Sequence, residues 1–150
     1  MPLKEGDPAP LFTVQTDTGE EFKLADHADE TIVLYFYPRA DTPGCTIESC
    51  EFRDSVKKFT KKGVTVIGVS PDTTMAQAKF KEKFDLNFTL LADADKTIAN
   101  QYGVMKEKNM YGKKVMGVGR TTFVIEKGKI AKIFGNVKPE GHAEQVLGAL

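Results

Sequence analysis

Apolar residues in this chain gather into short unbroken runs separated by segments with helical spacing, and that rhythm predicts an alternation of strands and helices. Thr31 to Tyr37 (TIVLYFY) is almost wholly apolar and rich in β-branched and aromatic side chains. A run of that length without alternation predicts a strand buried on both faces, ended by Pro38. From Pro43 to Lys62 the apolar positions Ile47, Cys50, Phe52, Val56 and Phe59 fall mostly three or four apart, the spacing of an amphipathic helix. Val64 to Val69 predicts a second buried strand, Thr73 to Phe84 a second helix, and Thr89 to Leu91 a third strand.

Asp95 is placed to cap a further helix that runs to about Tyr102 and stops at Gly103. Arg120 to Glu126 and Lys129 to Phe134 predict two strands joined across Lys127-Gly128. His142 to Leu147 is a short closing helix, and Leu11 to Gln15 with the turn Asp17-Thr18-Gly19-Glu20 opens a hairpin near the start. Met105 to Met116, with Lys106, Lys108, Lys113 and Lys114 around Gly112, is expected to be a mobile loop or strand flank. The order of elements predicts an α/β sandwich with a mixed central sheet. It is compatible with a thioredoxin-like three-layer fold, although periodicity alone does not separate that fold from other α/β arrangements.

At 150 residues, with 41% apolar and 28% charged residues, the chain has the size and balance of one ordinary globular domain spanning 1–150. Lys+Arg and Asp+Glu both number 21, so nothing in the charge points to nucleic acid or an anionic membrane. The run Lys57, Lys58, Lys61, Lys62 before Gly63 fits a solvated helix C-terminus. The first residues carry no secretion signal and the longest apolar run is too short to span a bilayer, so a cytosolic protein is expected. With only two cysteines, Cys45 and Cys50, redox or metal chemistry is a better expectation there than a structural staple.

Cys45 lies between a buried strand and a helix, at the sheet edge where open α/β folds place their ligands. Thr42 suits the N-cap and Pro43 the first helical turn. Cys45 then sits where free backbone N–H groups and the positive helix end favour a thiolate. A cysteine after Pro43-Gly44 is expected to face the cleft rather than the core. Cys50, taken alone, suits a packing position on the apolar face as well as a redox role. Residues five apart on a helix are separated by about 7.5 Å along the axis and roughly 140° around it. A bond between the two cysteines therefore requires the first turns to unwind, because their Cα atoms start beyond the ~7 Å reach of a disulfide. The spacing points to a switch between a wound dithiol and a locally unwound disulfide.

The string YFYPRADTPGCTIESCEFRD resembles the active-site signature of the peroxiredoxins, most closely the bacterioferritin comigratory protein or peroxiredoxin Q subfamily. The resemblance runs through nearly the whole chain, from GDPAPLF through GVSPD to GRTTFVIE. Its core, Pro-x-x-x-Thr-x-x-Cys, is met by Pro38, Thr42 and Cys45. The resemblance implies that Cys45 attacks a hydroperoxide, that Thr42 orients it, that Pro38 shields the pocket, and that Arg120 stabilises thiolate and leaving group. It also implies that Cys50 resolves the sulfenic acid as an intramolecular disulfide, and that thioredoxin or a similar dithiol restores the thiols. No cofactor or metal is implied, and the subfamily includes monomers, the state expected here. On the residues alone Thr42 is equally a plain cap, Pro38 a strand stop, and Arg120 a solvated strand-edge cation.

Three other readings fit less well. A general thiol–disulfide oxidoreductase prefers C-x-x-C. A non-enzymatic redox sensor would need a recognition surface that the sequence does not display. A zinc site would have to recruit His27 and His142, which lack ligand spacing and are expected at the surface or as caps. Arg39 and Arg53 are expected to face solvent or pair with acids such as Glu48 or Asp54.

Overall fold

The computed structural model describes residues 3–150, with the backbone alone of Met110. Nine strands and four α-helices are present among these residues: β1 (Thr13–Gln15), β2 (Glu21–Lys23), β3 (Thr31–Phe36), α1 (Pro43–Lys61), β4 (Val64–Ser70), α2 (Thr74–Phe84), β5 (Thr89–Ala92), α3 (Thr97–Gln101), β6 (Met105–Met110), β7 (Lys113–Val118), β8 (Thr121–Glu126), β9 (Lys129–Phe134) and α4 (His142–Gly148). A 3-10 turn, Leu24–His27, follows β2.

Five strands form the central sheet in the order β5-β4-β3-β8-β9. β3, β4 and β5 run parallel, and β8 and β9 run antiparallel to their neighbours, which makes the sheet mixed. β3 is the middle strand, and its residues from Ile32 to Phe36 are at most 1% exposed. Its alternate side chains feed two cores. Ile32, Leu34 and Phe36 pack with Ile98, Ala99 and Tyr102 of the α3 region and with Phe12 and Phe22 of the first hairpin. Val33 and Tyr35 pack with Phe52 and Phe59 of α1, Phe80 of α2, and Ala143 and Val146 of α4. The result is a three-layer α/β sandwich, as the unbroken apolar run predicts for a strand covered on both sides.

Gly68 of β4 pairs with Tyr35, and a Cβ there would lie 2.9 Å from the Tyr35 ring and 2.9 Å from Leu90. The missing side chain lets the Tyr35 ring lie flat between the sheet and α1, stacked on Phe52 at 4.5 Å.

Three expectations are corrected. Met105 to Met116 is no loop: β6 and β7 pair antiparallel from Met105↔Val118 to Met110↔Lys113. Tyr111 and Gly112, at φ 55° and 79°, make the two-residue turn that suits such a hairpin. These strands were illegible because they form a separate sheet, largely exposed along β7, so no alternation of apolar and polar residues marks them. α3 is capped chiefly by Asp93 rather than Asp95: the buried Asp93 carboxylate accepts from the Ile98 and Ala99 amides at 3.0 and 2.9 Å, while Asp95 accepts only from Thr97. His142 is neither at the surface nor a cap. It is 1% exposed, its Nε2 is 2.7 Å from Thr122 Oγ1, and its ring meets Phe52 and Phe134 edge to face.

Candidate active site

The parallel β3–β4 pair and the antiparallel β3–β8 pair together build the site. Because β8 runs against β3, with Phe36 opposite Thr121, the residue before Thr121 falls beside the carboxyl end of β3. That residue is Arg120, brought 75 positions along the sequence to the start of α1. Its carbonyl accepts from the Val137 amide at 3.1 Å, which fixes the backbone there.

The loop between β3 and α1 begins with half-buried Pro38 and is held from the β4 side. Asp72 accepts from the Ala40 amide at 2.8 Å and from the Ser70 hydroxyl at 2.6 Å. Thr42 occupies the N-cap position of α1 in extended conformation, with Pro43 at the first helical residue. The sequence predicts that Thr42 caps the helix; it holds the N-cap position, but its hydroxyl donates instead to the Arg39 carbonyl at 2.8 Å. This turns the side chain back over the loop.

Cys45 is the third residue of α1 and is 0% exposed, packed among Tyr35, Tyr37 and Phe52 rather than facing an open cleft. Helix geometry explains the correction: Cys45, Glu48, Ser49 and Phe52 share one face, and that face lies on the sheet. Arg120 Nη1 lies 3.5 Å from Cys45 Sγ and donates to Glu48 Oε1 at 2.8 Å. Gly44 permits this approach, since a Cβ there would stand 3.0 Å from Arg120 Nη2 and 3.3 Å from Pro139.

Glu48 belongs to this cluster, although sequence reasoning named it only as an acid with which Arg39 or Arg53 could pair. Its position three residues after Cys45, on the inward face, was the available signal. Its side chain is fully buried and Oε2 has no hydrogen-bond partner. Burial pushes the carboxyl up to about 7, against the opposing pull of Arg120. Arg39 is exposed, whereas Arg53 pairs with Asp54 at 2.9 Å and donates to the Phe84 carbonyl.

Lys108 of β6 also reaches this region, a second cation that the sequence did not single out. Its Nζ donates to the Val118 carbonyl at 2.6 Å, and burial together with the charge of Arg120 pushes the ammonium down.

Cys50 is half-buried on the flank of α1, and burial raises its thiol above the ordinary value. Both cysteines are free and both lie within unbroken helix. The structure thus brings Pro38, Thr42, Cys45 and Arg120 to one sheet edge and leaves Cys50 on another face of the same helix.

The sandwich is a thioredoxin fold, and at its sheet edge a buried thiol in the first turn of a helix lies at hydrogen-bonding distance from an arginine. The chain belongs to the AhpC/TSA family, whose profile matches residues 5–133, and within it to the peroxiredoxins of the bacterioferritin comigratory protein or peroxiredoxin Q kind. A putative peroxiredoxin bcp from Coxiella burnetii is 48% identical over 151 residues, covering 100% of both chains. The crystal structure of a cysteine-to-serine mutant of Xylella fastidiosa PrxQ superposes with a TM-score of 0.93 at 32% identity, covering 99% of this chain and 96% of the other. Xanthomonas campestris bacterioferritin comigratory protein, studied for alkyl peroxide reduction, superposes with a TM-score of 0.88 at 37% identity, covering 92% and 88%. The protein is accordingly a peroxidase that uses a peroxide substrate and a thiol reductant. Among the described residues no helix is long and apolar enough to cross a membrane.

Proposed function

We propose that Cys45 is the attacking residue of a cycle that reduces hydrogen peroxide and organic hydroperoxides, with Cys50 as its resolving partner. The observation that carries this reading is the 3.5 Å approach of Arg120 Nη1 to Cys45 Sγ on the first turn of α1. A permanent cation at that distance is placed to stabilise negative charge as the sulfur attacks.

The Cys45 thiolate attacks the terminal oxygen of the hydroperoxide, the O–O bond breaks, and hydroxide or alkoxide leaves and is protonated to water or alcohol. Cys45 becomes a sulfenic acid. Arg120 stabilises the charge that develops on the leaving oxygen. Thr42, with its proton committed to the Arg39 carbonyl, offers its lone pairs to the peroxide O–H. Pro38 shapes the loop over the thiol and limits water. An organic hydroperoxide as substrate is supported by the alkyl peroxide reduction for which the Xanthomonas relative was studied.

In the resolving step the Cys50 thiol condenses with the Cys45 sulfenic acid, forming the S–S bond and releasing one water. The unbroken helix between them must first unwind. A dithiol of the thioredoxin type then reduces the disulfide by exchange, itself becoming a disulfide. Because both cysteines belong to one helix, the cycle needs no second chain, and we assign it to a single-domain monomer in a reducing, cytosolic setting.

The test is stopped-flow mixing of the reduced protein with one equivalent of hydrogen peroxide, followed by intact-mass analysis. Rapid consumption with loss of two hydrogens in the wild type, a trapped sulfenic acid in Cys50→Ser, and no fast reaction in Cys45→Ser are expected. Full turnover by Cys45→Ser would overturn the assignment.

A further inference from the structure

Within the stretch of α1 that the resolving step must unwind, two side chains tie the helix to the sheet. Glu48 reaches Arg120, the residue just before β8, and Ser49 reaches β3 through the hydroxyl of Tyr35, each at 2.8 Å. The first tie belongs to the chemistry, since the same guanidinium nitrogen faces the thiol. The second carries no hydrogen bond to Cys45 or Arg120 among the described residues.

Tyr35 and Ser49 are both 0% exposed. Their hydroxyls meet inside an aromatic stack in which Tyr35 lies 4.5 Å from Phe52 and 5.4 Å from Tyr37. The open face at Gly68 gives the Tyr35 ring its place. Water is excluded there, so the bond is electrostatically strong, and breaking it leaves the Tyr35 hydroxyl without a partner. Burial also holds that phenol well above its ordinary pKa, so it stays protonated.

Ser49 immediately precedes Cys50, and the next inward-facing residue, Phe52, is 0% exposed. Bringing Cys45 to Cys50 draws residues 45–49 off the sheet while Phe52 keeps the rest of the helix seated. Ser49 is therefore the last polar tie before the cysteine that must be reached.

The geometry points to the Tyr35–Ser49 hydrogen bond as the latch that sets the rate of the resolving step, holding Cys45 in the wound, peroxide-reactive turn until it breaks. This rests on the reading that Cys50 is the resolving residue. Tyr35 and Ser49 are thus positioning residues rather than catalytic ones. While the latch is closed, the Cys45 sulfenic acid is exposed to a second hydroperoxide, which oxidises it to the sulfinic acid and leaves as the alcohol or water. Latch strength therefore sets how the sulfenic acid divides between disulfide and sulfinic acid.

Quench-flow with intact-mass detection on the full chain separates the two steps, using hydrogen peroxide at one equivalent and then in excess. Tyr35→Phe and Ser49→Ala keep the ring stack and the helix. Both are expected to leave the first oxidation within about twofold while disulfide formation accelerates about five- to tenfold, the scale of one buried hydrogen bond. The sulfinic acid formed in excess peroxide falls in proportion. The double variant is expected to accelerate disulfide formation less than either single one, because it leaves no orphaned hydroxyl in the stack, and Ser49→Thr, which keeps a hydroxyl, is expected to stay near wild type. A lowered melting temperature with unchanged disulfide rate and sulfinic yield would show a merely structural bond and overturn the latch alone. Absence of any Cys45–Cys50 disulfide in the wild type would overturn the resolving assignment and the latch with it.

Discussion

Arg120 lies across Gly44 so closely that any side chain there would press on its guanidinium, since a Cβ would stand 3.0 Å from Nη2. The glycine before Cys45 thus leaves room for the arginine that reaches it from the residue just before β8. Gly44→Ala is expected to fold but to displace Arg120 from Cys45 Sγ. The rate of the first oxidation should fall about tenfold or more, the scale at which misplacing a charge-stabilising group acts. Stopped-flow peroxide consumption reads it directly.

Arg120→Met removes both the contact to Cys45 and the partner of Glu48. The oxidation step is expected to slow by about 10²–10³, as for loss of one preorganised donor at a developing anion. Stability should fall far less than for an orphaned buried charge, because Glu48, already pushed up to about 7, takes up a proton instead. Chemical denaturation at pH 6 and pH 8 checks this, with the larger loss expected at pH 8.

Glu48 also predicts a pH dependence of stability. Its folded-state pKa of about 7 lies above the ordinary value of 4.5, so the folded protein binds the extra proton. The stability associated with that proton is complete below about 4.5 and is lost as pH rises through about 7. Glu48→Gln stays neutral throughout and should lack this decline. Its stability relative to wild type is expected to rise between pH 5 and pH 8 by at most on the order of 3 kcal/mol. Parallel urea titrations across that range would give a constant difference if Glu48 does not titrate there.

Gly68→Ala places a methyl group 2.9 Å from the Tyr35 ring and from Leu90, both in the packed core. Overpacking of this kind is expected to cost about 1–3 kcal/mol. The urea midpoint should fall accordingly, and the loss should shrink when Tyr35→Leu is combined with it, because the smaller side chain relieves the contact.

Much of the layering was legible from local pattern. The unbroken apolar run of β3 announced a strand with a core on each face, and the three- and four-residue spacing of α1 announced a helix lying on one of them. What escaped was governed by neighbours. β6 and β7 carry lysines where a core strand would carry valine, so their pairing depends on each other and on the turn at Tyr111-Gly112. His142 was misplaced because a polar residue is buried only where partners wait for it, and Thr122 and Gln145 stand on a strand and a helical turn that periodicity does not relate.

By itself the sequence determined the chemical capacity of the protein: a cysteine in a helix's first turn, a second one five residues on, and spacing that forbids a disulfide while the helix is wound. These follow from covalent order and helix geometry, which are local. Only the tertiary structure decided how that thiol is buried and by what route the arginine that the resemblance implied comes to meet it. Arg39 and Arg53 are nearer in sequence, yet Arg120 arrives from 75 residues away because β8 pairs antiparallel with β3 in one register. A shift of one residue would turn its side chains to the opposite face of the sheet. That register is chosen by which faces the two cores can bury, a property of the assembled layers that no single segment contains.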